Sequence, residues 1–122
     1  LKYIGSINGR FDYAEELIES GVIELETMTY MRGRSIPNSF IIVDEVQNMT
    51  PQEVKTALSR AGSGTKVVLL ADPTQIDTPY LDKESCGMTH LIDRFKGQKT
   101  FGVVELDKSE RSEVAKLAAE LL

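Results

Sequence analysis

Two features that would place a polypeptide in a membrane or an oxidising compartment are missing from this 122-residue sequence. It contains no apolar run long enough to span a bilayer, which takes about 20 residues. It contains a single cysteine, Cys86, so an internal disulfide is excluded and a reducing compartment is favoured. We therefore expect a cytoplasmic protein with no membrane partner.

A general excess of positive charge is also missing, since the formal net charge is −5 at pH 7. The chain thus lacks the overall basic field that many nucleic-acid-binding domains carry. Basic residues do cluster at Arg32 and Arg34, and more loosely at Arg94, Lys96 and Lys99. A local groove can be basic on an acidic protein, but solvated surface charge is the commoner role of such clusters.

What the sequence does contain is an alternation of helical and strand patterns. With 41% hydrophobic and 27% charged residues, the composition is typical of a globular core. Capping residues, apolar spacing and glycine stops predict helices over 12–20, 51–61, 88–95 and 114–121. Runs rich in β-branched residues predict strands over 22–26, 40–43, 66–71 and 101–106.

This alternation predicts an α/β fold with a parallel sheet and helices on both faces. The uninterrupted apolar run Phe40–Val43 is typical of a strand that is covered on both faces. In open parallel sheets, ligands bind beyond the carboxyl ends of the strands. The polar residues that follow these strands are therefore the first candidates for chemistry.

Two adjacent carboxylates, Asp44 and Glu45, follow the first apolar strand. In that position one carboxylate can hold a hydrated Mg²⁺ ion while the other orients and polarises an attacking water. Magnesium needs only one or two protein carboxylates, because waters and substrate phosphates complete its coordination. The alternative is structural, with Asp44 capping a helix beside a solvated Glu45.

A second polar cluster, Asp72-Pro73-Thr74-Gln75, follows the next strand. Gln75 is suited to donate its amide to a γ-phosphate or to hold the attacking water, although a proline-bearing turn with an exposed glutamine is the structural alternative. Arg111 lies where the last predicted strand passes into the last helix, and it is suited either to neutralise phosphoryl charge or to belong to a simple helix cap. The combination of the first two clusters favours a nucleotide site.

At this point the sequence resembles the PhoH-like family of P-loop ATPases, which is related to superfamily 1 helicases. The resemblance covers essentially the whole chain and is specific. It looks closest to the branch in which a PIN-type ribonuclease domain precedes the ATPase. The segments that carry it are Tyr30–Arg34, Phe40–Asn48, Leu69–Asp77, Pro79–Asp82, Arg94–Gly97 and Glu110–Ser112.

The resemblance implies a RecA-like core with ATP and Mg²⁺ as cofactors and assigns roles within it. Asp44 would hold Mg²⁺ with Glu45, and Glu45 would be the general base. Gln47 and Gln75 would sense the γ-phosphate. Asp72 would help to bind the nucleotide, and Arg111 would stabilise the transferred charge. RNA is a candidate partner, as is a ring of identical subunits in which a neighbour supplies the arginine.

The phosphate-cradling loop G-x-x-x-x-G-K-[ST] has no match in these residues. We therefore expect residues 1–122 to be the C-terminal portion of a single ATPase domain that binds ATP weakly or not at all by itself. The alanine, glycine and asparagine usual in the family are replaced by Val46, Ala71 and Cys86. These changes leave the rate of ATP hydrolysis open. The alternative function is a binding or assembly module that retains the fold without hydrolysing nucleotide. Tyr80 is a candidate for base stacking, against a loop-shaping role.

Overall fold

A computed structural model describes residues 13–27, 33–106 and 112–121. The described residues fall into two compact units, one ending at Leu91 and the other starting at Ile92. In chain order the elements are α1 (Tyr13–Glu19), β1 (Phe40–Val43), a 3₁₀ turn (Val46–Asn48), α2 (Pro51–Leu58), β2 (Lys66–Leu69), α3 (Gly87–Phe95) and α4 (Glu113–Leu121).

The two strands form a parallel sheet, which confirms the predicted α/β class. Phe40 pairs with Lys66 and Val43 with Leu69. Two further hydrogen bonds continue the ladder beyond the strands, since the Leu70 N–H donates to the Val43 carbonyl at 2.8 Å and the Val46 N–H donates to the Leu70 carbonyl at 3.0 Å. Both strands therefore end at the same edge of the sheet.

Strand β1 presents its side chains alternately to a packed face and an open face. Ile41 and Val43 are buried, whereas Phe40 and Ile42 are 62% and 61% exposed. Successive side chains of a strand point to opposite faces, and within the described residues only one face is packed. The apolar run of β1 had predicted cover on both faces, so the structure differs from that expectation here.

Helix α2 begins as its sequence predicts. The Glu53 N–H donates to Thr50 Oγ1 at 3.2 Å and the Thr50 N–H donates to Glu53 Oε2 at 2.8 Å, which completes a capping box ahead of Pro51. The helix ends at Leu58 rather than at the predicted residue 61. The reason is tertiary: Ala61 forms a parallel bridge with Ile36, which draws the chain out of the helix early.

Helix α3 starts directly against the start of α2. The Gly87 N–H donates to the Met49 carbonyl at 2.7 Å, and a Cβ atom on Gly87 would lie 2.4 Å from Val54 Cγ2. Only glycine allows so close an approach. Buried Val54 and Ala57 of α2 and Leu91 of α3 belong to the core of the first unit.

Two predicted strands are wrong. Residues 22–26 and 101–106 have no strand structure, because neither segment pairs with another strand in the part of the chain that the structure describes. The first follows α1 and Gly21, the predicted helix stop, which has a φ of 74°. The second leaves Val103 and Val104 exposed.

The second unit contains the predicted closing helix, α4, and an edge-to-face contact between the rings of Phe95 and Phe101, with centroids 5.6 Å apart. Asp12, predicted to cap α1, lies outside the described residues. None of the helices in the described ranges is long and apolar enough to cross a membrane.

Candidate nucleotide site

Both predicted polar clusters lie at one edge of the sheet, because the strands before them are parallel and in register. Asp44 and Glu45 follow β1, and the 72–75 segment follows β2 after two further residues. The pairing of Val43 with Leu69 brings the two strand ends side by side. The sequence had placed these clusters at the carboxyl ends of neighbouring strands, and the structure does so too.

Glu45 has an unusual backbone conformation. Its φ and ψ are 57° and 35°, in the left-handed region that costs a non-glycine residue roughly 1–2 kcal/mol. The neighbouring bonds explain how it is held there. Its own N–H donates to Asp44 Oδ1 at 2.9 Å, and the next N–H, that of Val46, is held by the Leu70 carbonyl. Strain of this kind is concentrated at functional sites.

Gln47 links the two clusters from inside the protein. It is only 1% exposed, and its amide bonds to three residues in two segments. Its Nε2 donates to Glu45 Oε2 at 2.5 Å and to the Gln75 carbonyl at 3.2 Å. Its Oε1 accepts the Asp72 N–H at 3.2 Å. The carboxylate after β1 and the turn after β2 are thus connected through a single side chain.

The segment after β2 is the proline-bearing turn that was one of the two readings of its sequence. The Gln75 N–H donates to the Asp72 carbonyl at 3.0 Å. The Asp72 carboxylate accepts from Thr74 Oγ1 at 2.6 Å and from Gln75 Nε2 at 2.6 Å. Gln75 is nevertheless exposed, so its amide can exchange this partner for a ligand, and the turn is compatible with a role in binding.

Asn48 is a site residue that the sequence analysis missed. Its Oδ1 accepts the N–H of Asp77 at 2.8 Å and that of Thr78 at 3.2 Å, and its carbonyl accepts from Thr78 Oγ1 at 3.1 Å. The adjacent amides Gln47 and Asn48 therefore fix the chain from 72 to 78. Its place at the end of the Phe40–Asn48 segment was the only signal in the sequence, and that signal does not identify its partners.

The carboxylates after β1 fit a magnesium ion. Both are exposed, and within the described residues the only bonds to them are from the Glu45 N–H and from Gln47, so each carboxylate keeps an oxygen for another ligand. The described part of the chain holds no group of three or more His, Cys, Asp or Glu residues suited to a metal. Magnesium does not need such a group, because it takes one or two carboxylates together with waters and phosphates.

The loop after the turn carries a solvated aromatic side chain and a carboxylate that accepts backbone hydrogen bonds. Tyr80 is 92% exposed. Asp82 Oδ1 accepts the N–H of Ser85 at 2.7 Å and that of Glu84 at 3.0 Å. Hydrogen bonding with Ser85, first through its side chain and then through its backbone, together with the Glu84 backbone, lowers the pKa of Asp82 below its ordinary value of 3.8. Asp82 therefore shapes the turn that leads into α3.

The predicted phosphoryl-contacting arginine, Arg111, lies outside the described residues, and so does Arg32 of the basic cluster. Arg34 is described and lies 3.7 Å from Glu26 and 3.9 Å from Glu24, measured from Nη1 to the carboxylate oxygens. The side chains of Arg34 and Glu24 are largely exposed and that of Glu26 is one-third exposed, so the pairs contribute little to stability.

Comparison with known proteins finds similarity over nearly the whole chain. The family model described as PhoH-like protein matches residues 7–121. Protein PhoH2 of Bacillus subtilis is 57% identical over 102 residues, which are 84% of this chain and 23% of that protein. Protein PhoH2 of Mycolicibacterium smegmatis is 39% identical over 108 residues, 88% of this chain and 24% of that protein.

A third relative, the PhoH-like protein of Bacillus subtilis, is 37% identical over 99 residues, 81% of this chain and 30% of that protein. The chain thus spans 23% to 30% of the length of these three relatives.

Proposed function

The chain belongs to the PhoH-like family, whose members have a P-loop NTPase fold and bind ATP, and from this we propose that it supplies the water-activating part of an ATPase. The observation that carries the proposal is the Gln47 bridge at the carboxyl edge of the sheet. It links the carboxylate suited to activate water with the turn suited to contact the γ-phosphate. A purely structural cap at Asp44 would not require that link.

In this proposal the exposed carboxylates divide the work. Asp44 holds Mg²⁺ with the help of Glu45, and the ion, when bound, neutralises charge on the phosphate oxygens. Glu45 accepts a proton from the attacking water, since its carboxylate is exposed at the strand end. No phosphate-cradling loop G-x-x-x-x-G-K-[ST] is found in these residues, so the 122 residues alone are expected to bind Mg-ATP weakly.

Gln75 and Asp72 complete the described part of the proposed site. Gln75 Nε2 donates to Asp72 Oδ2 in this structure, and both side chains belong to the turn that follows β2. A γ-phosphate offers acceptor oxygens only, so the Gln75 amide can turn from Asp72 to the phosphate. Arg111 is proposed to meet the charge that develops on the transferred group.

The test is a comparison of two substitutions in the parent protein, by which we mean the full-length ATPase that we propose contains these residues. Glu45→Gln should leave ATP binding intact and slow hydrolysis by roughly 10²–10⁴-fold, because the amide keeps the shape but cannot accept the proton. Asp44→Ala should instead weaken Mg²⁺-dependent binding. Asp93→Asn, which removes an exposed carboxylate from α3, is the control and should change neither quantity. Hydrolysis by Glu45→Gln at the wild-type rate would favour the alternative of a non-hydrolysing binding module.

We also propose that the parent protein couples hydrolysis to RNA remodelling, as the resemblance of its sequence to a helicase-related family implies. The support within this chain is the 92% exposure of Tyr80, which leaves its ring available to stack on a base. If the ring stacks, RNA should stimulate hydrolysis in the wild type and in Tyr80→Phe, and stimulate it less in Tyr80→Ala. Equal stimulation of all three would exclude Tyr80 from the contact.

A further inference from the structure

Every hydrogen atom that the Gln47 amide can donate is already used inside the protein. A primary amide has two N–H donors and one carbonyl acceptor. One donor goes to Glu45 Oε2 at 2.5 Å and the other to the Gln75 carbonyl at 3.2 Å. The Asp72 N–H occupies the amide oxygen at 3.2 Å. A phosphate offers only acceptors at its oxygens, so it could bind Gln47 only by displacing one of these two partners.

The burial of Gln47 makes that displacement costly. The side chain is 1% exposed, and the groups that it would abandon include a backbone carbonyl and a backbone N–H of the turn after β2. Breaking the hydrogen bond of a buried polar group costs more free energy than breaking that of an exposed group, because no water replaces the lost partner. Gln75 is the contrasting case, since it is exposed and, among the described residues, its amide bonds only to a side chain of its own turn.

The bond to Glu45 has a different consequence. Glu45 is exposed, and apart from Gln47 no hydrogen-bonding partner for its carboxylate is found in the described part of the chain. Its long side chain would otherwise sample several rotamers. The Gln47 N–H fixes one carboxylate oxygen, and the turn fixes Gln47. A shift of the turn that lengthened the bond to the Gln75 carbonyl would therefore change how Glu45 is held.

We infer that Gln47 is a positioning residue through which the 72–75 turn sets the orientation of the Glu45 carboxylate. The inference rests on the proposed function, since it takes Glu45 as the base and the turn as the phosphate-contacting segment. It deepens that function by assigning regulation. When a γ-phosphate binds and the 72–75 turn moves, the buried Gln47 amide moves with it. This movement changes the orientation of the Glu45 carboxylate, so the rate of hydrolysis depends on the position of the turn.

The experiment compares Gln47→Met with Gln75→Ala in the parent protein. Methionine retains the volume of Gln47 and removes all three hydrogen bonds. Gln47→Met should lower kcat by about 10- to 100-fold, as expected when a catalytic group is misplaced. The ratio of the Kd values for ADP and a non-hydrolysable ATP analogue should stay within about twofold of the wild type, because no uniform binding contact is lost.

Gln75→Ala is the matched control for phosphate sensing. It should reduce the preference for the ATP analogue over ADP, which Gln47→Met should preserve. Loss of that preference in Gln47→Met to the same extent would show that Gln47 contacts the phosphate, and would overturn the inference. So would an unchanged kcat in Gln47→Met. If that variant does not fold, Gln47→Asn replaces it, since asparagine keeps a neutral amide but is one methylene shorter and cannot hold Glu45 and the turn together.

A double-mutant cycle then separates this inference from the function on which it rests. If Gln47 acts through Glu45, adding Gln47→Met to Glu45→Gln should change the residual single-turnover rate by less than about twofold. A further loss similar to that in the wild-type background would show that Gln47 acts by another route. Glu45→Gln turning over normally would instead sink the assignment of the base, whatever Gln47→Met does.

Discussion

At the scale of single residues, the candidate site is defined by a glutamate whose backbone is strained. Glu45 has a φ of 57° at the position where the chain leaves β1 and enters the 3₁₀ turn. The Val46 N–H that follows is held by the Leu70 carbonyl, so the chain cannot relax without losing a bond of the sheet edge. The Glu45 side chain is exposed at this position, where a ligand can reach it.

Because of this strain, we expect glycine at position 45 to give a more stable protein than alanine, the reverse of the usual order in a helix. Glu45→Gly and Glu45→Ala lose the same carboxylate and the same bond to Gln47, so their difference reports the backbone alone. The glycine variant should be the more stable by roughly 1 kcal/mol, because alanine must also adopt the left-handed conformation. Chemical denaturation of the two variants measures the difference.

Lys55, exposed within helix α2, provides the control for that comparison. There the order should reverse, with alanine more stable than glycine by about 1 kcal/mol. Alanine as the more stable residue at both positions would mean that Glu45 does not keep its left-handed backbone in solution.

The lowered pKa of Asp82 predicts a dependence of stability on acidic pH. Its folded-state pKa lies below the ordinary 3.8, so the unfolded state binds the proton more tightly. The stabilisation is therefore present above pH about 4 and is lost as pH falls through the folded-state pKa. The stability difference between the wild type and Asp82→Asn should narrow as pH is lowered from 5 to about 3.

Ser85→Ala provides an independent check, because Ser85 is the largest cause of the shift. In this variant the Asp82 stabilisation should be smaller and should be fully lost at a higher pH than in the wild type, because the folded-state pKa lies closer to 3.8. Denaturation curves recorded across the acidic range would reveal the change. If the difference in stability between the wild type and Asp82→Asn stays constant with pH, the charged carboxylate does not stabilise this turn.

At the scale of elements, α3 starts in close contact with the start of α2. A Cβ atom on Gly87 would lie 2.8 Å from the Thr50 carbonyl oxygen and 2.9 Å from that of Met49, as well as close to Val54. Two of these three obstacles are backbone atoms next to the 3₁₀ turn that carries Gln47. The packing of α3 thus supports the segment that holds the site.

Gly87→Ala should therefore destabilise the parent protein by about 1–3 kcal/mol, the usual range for overpacking a core. Helix propensity alone predicts the opposite sign, since alanine favours a helix by about 1 kcal/mol over glycine. Gly102→Ala is the control, because a Cβ atom there meets nothing within 4 Å, and it should be nearly neutral. A stabilised Gly87→Ala protein would show that α3 does not pack so closely on α2.

The elements also show which local signals in a sequence are reliable. Helix α2 starts where Thr50, Pro51 and Glu53 predict, because caps are satisfied by neighbours in the chain. Its end was missed by three residues, since Ala61 is drawn into a bridge with Ile36. The segments 22–26 and 101–106 have strand-like sequences, but a strand also requires a partner, and the described residues provide none for them.

At the scale of the whole molecule, the chain covers only a small part of the length of its relatives, 23% of one PhoH2 protein and 24% of another. Each compact unit exposes apolar side chains, such as Phe40 and Ile42 in the first and Val114 and Leu121 in the second. We propose, as the sequence suggested, that residues 1–122 form the C-terminal portion of one ATPase domain.

Arg111 is best tested at this scale, because we propose that it acts on a phosphoryl group held by the assembled nucleotide site. Arg111→Ala in the parent protein should lower kcat by at least about a hundredfold, with little change in Tm. Arg94→Ala, which removes an exposed arginine of α3, should leave kcat unchanged. Near-normal turnover by Arg111→Ala would reduce Arg111 to an ordinary arginine near the start of α4.

Mixing Arg111→Ala with Glu45→Gln subunits separates action within a subunit from action on a neighbour. If the arginine acts across an interface of a ring, some mixed interfaces contain both an intact base and an intact arginine, and activity should return. If it acts within its own subunit, each polypeptide carries one defect and the mixture should stay inactive.

The sequence by itself determined the parallel α/β class, the start of α2, the positions of the two polar clusters and the family. These follow from apolar periodicity, caps and motifs, which are local or are carried by residue identity. Only the tertiary structure decided the strained backbone of Glu45, the anchoring role of Asn48 and the burial of Gln47. The partners of Gln47 in the turn lie 25 and 28 residues away in the chain. The register of β1 against β2 brings them within hydrogen-bonding distance, and no local pattern encodes that distance.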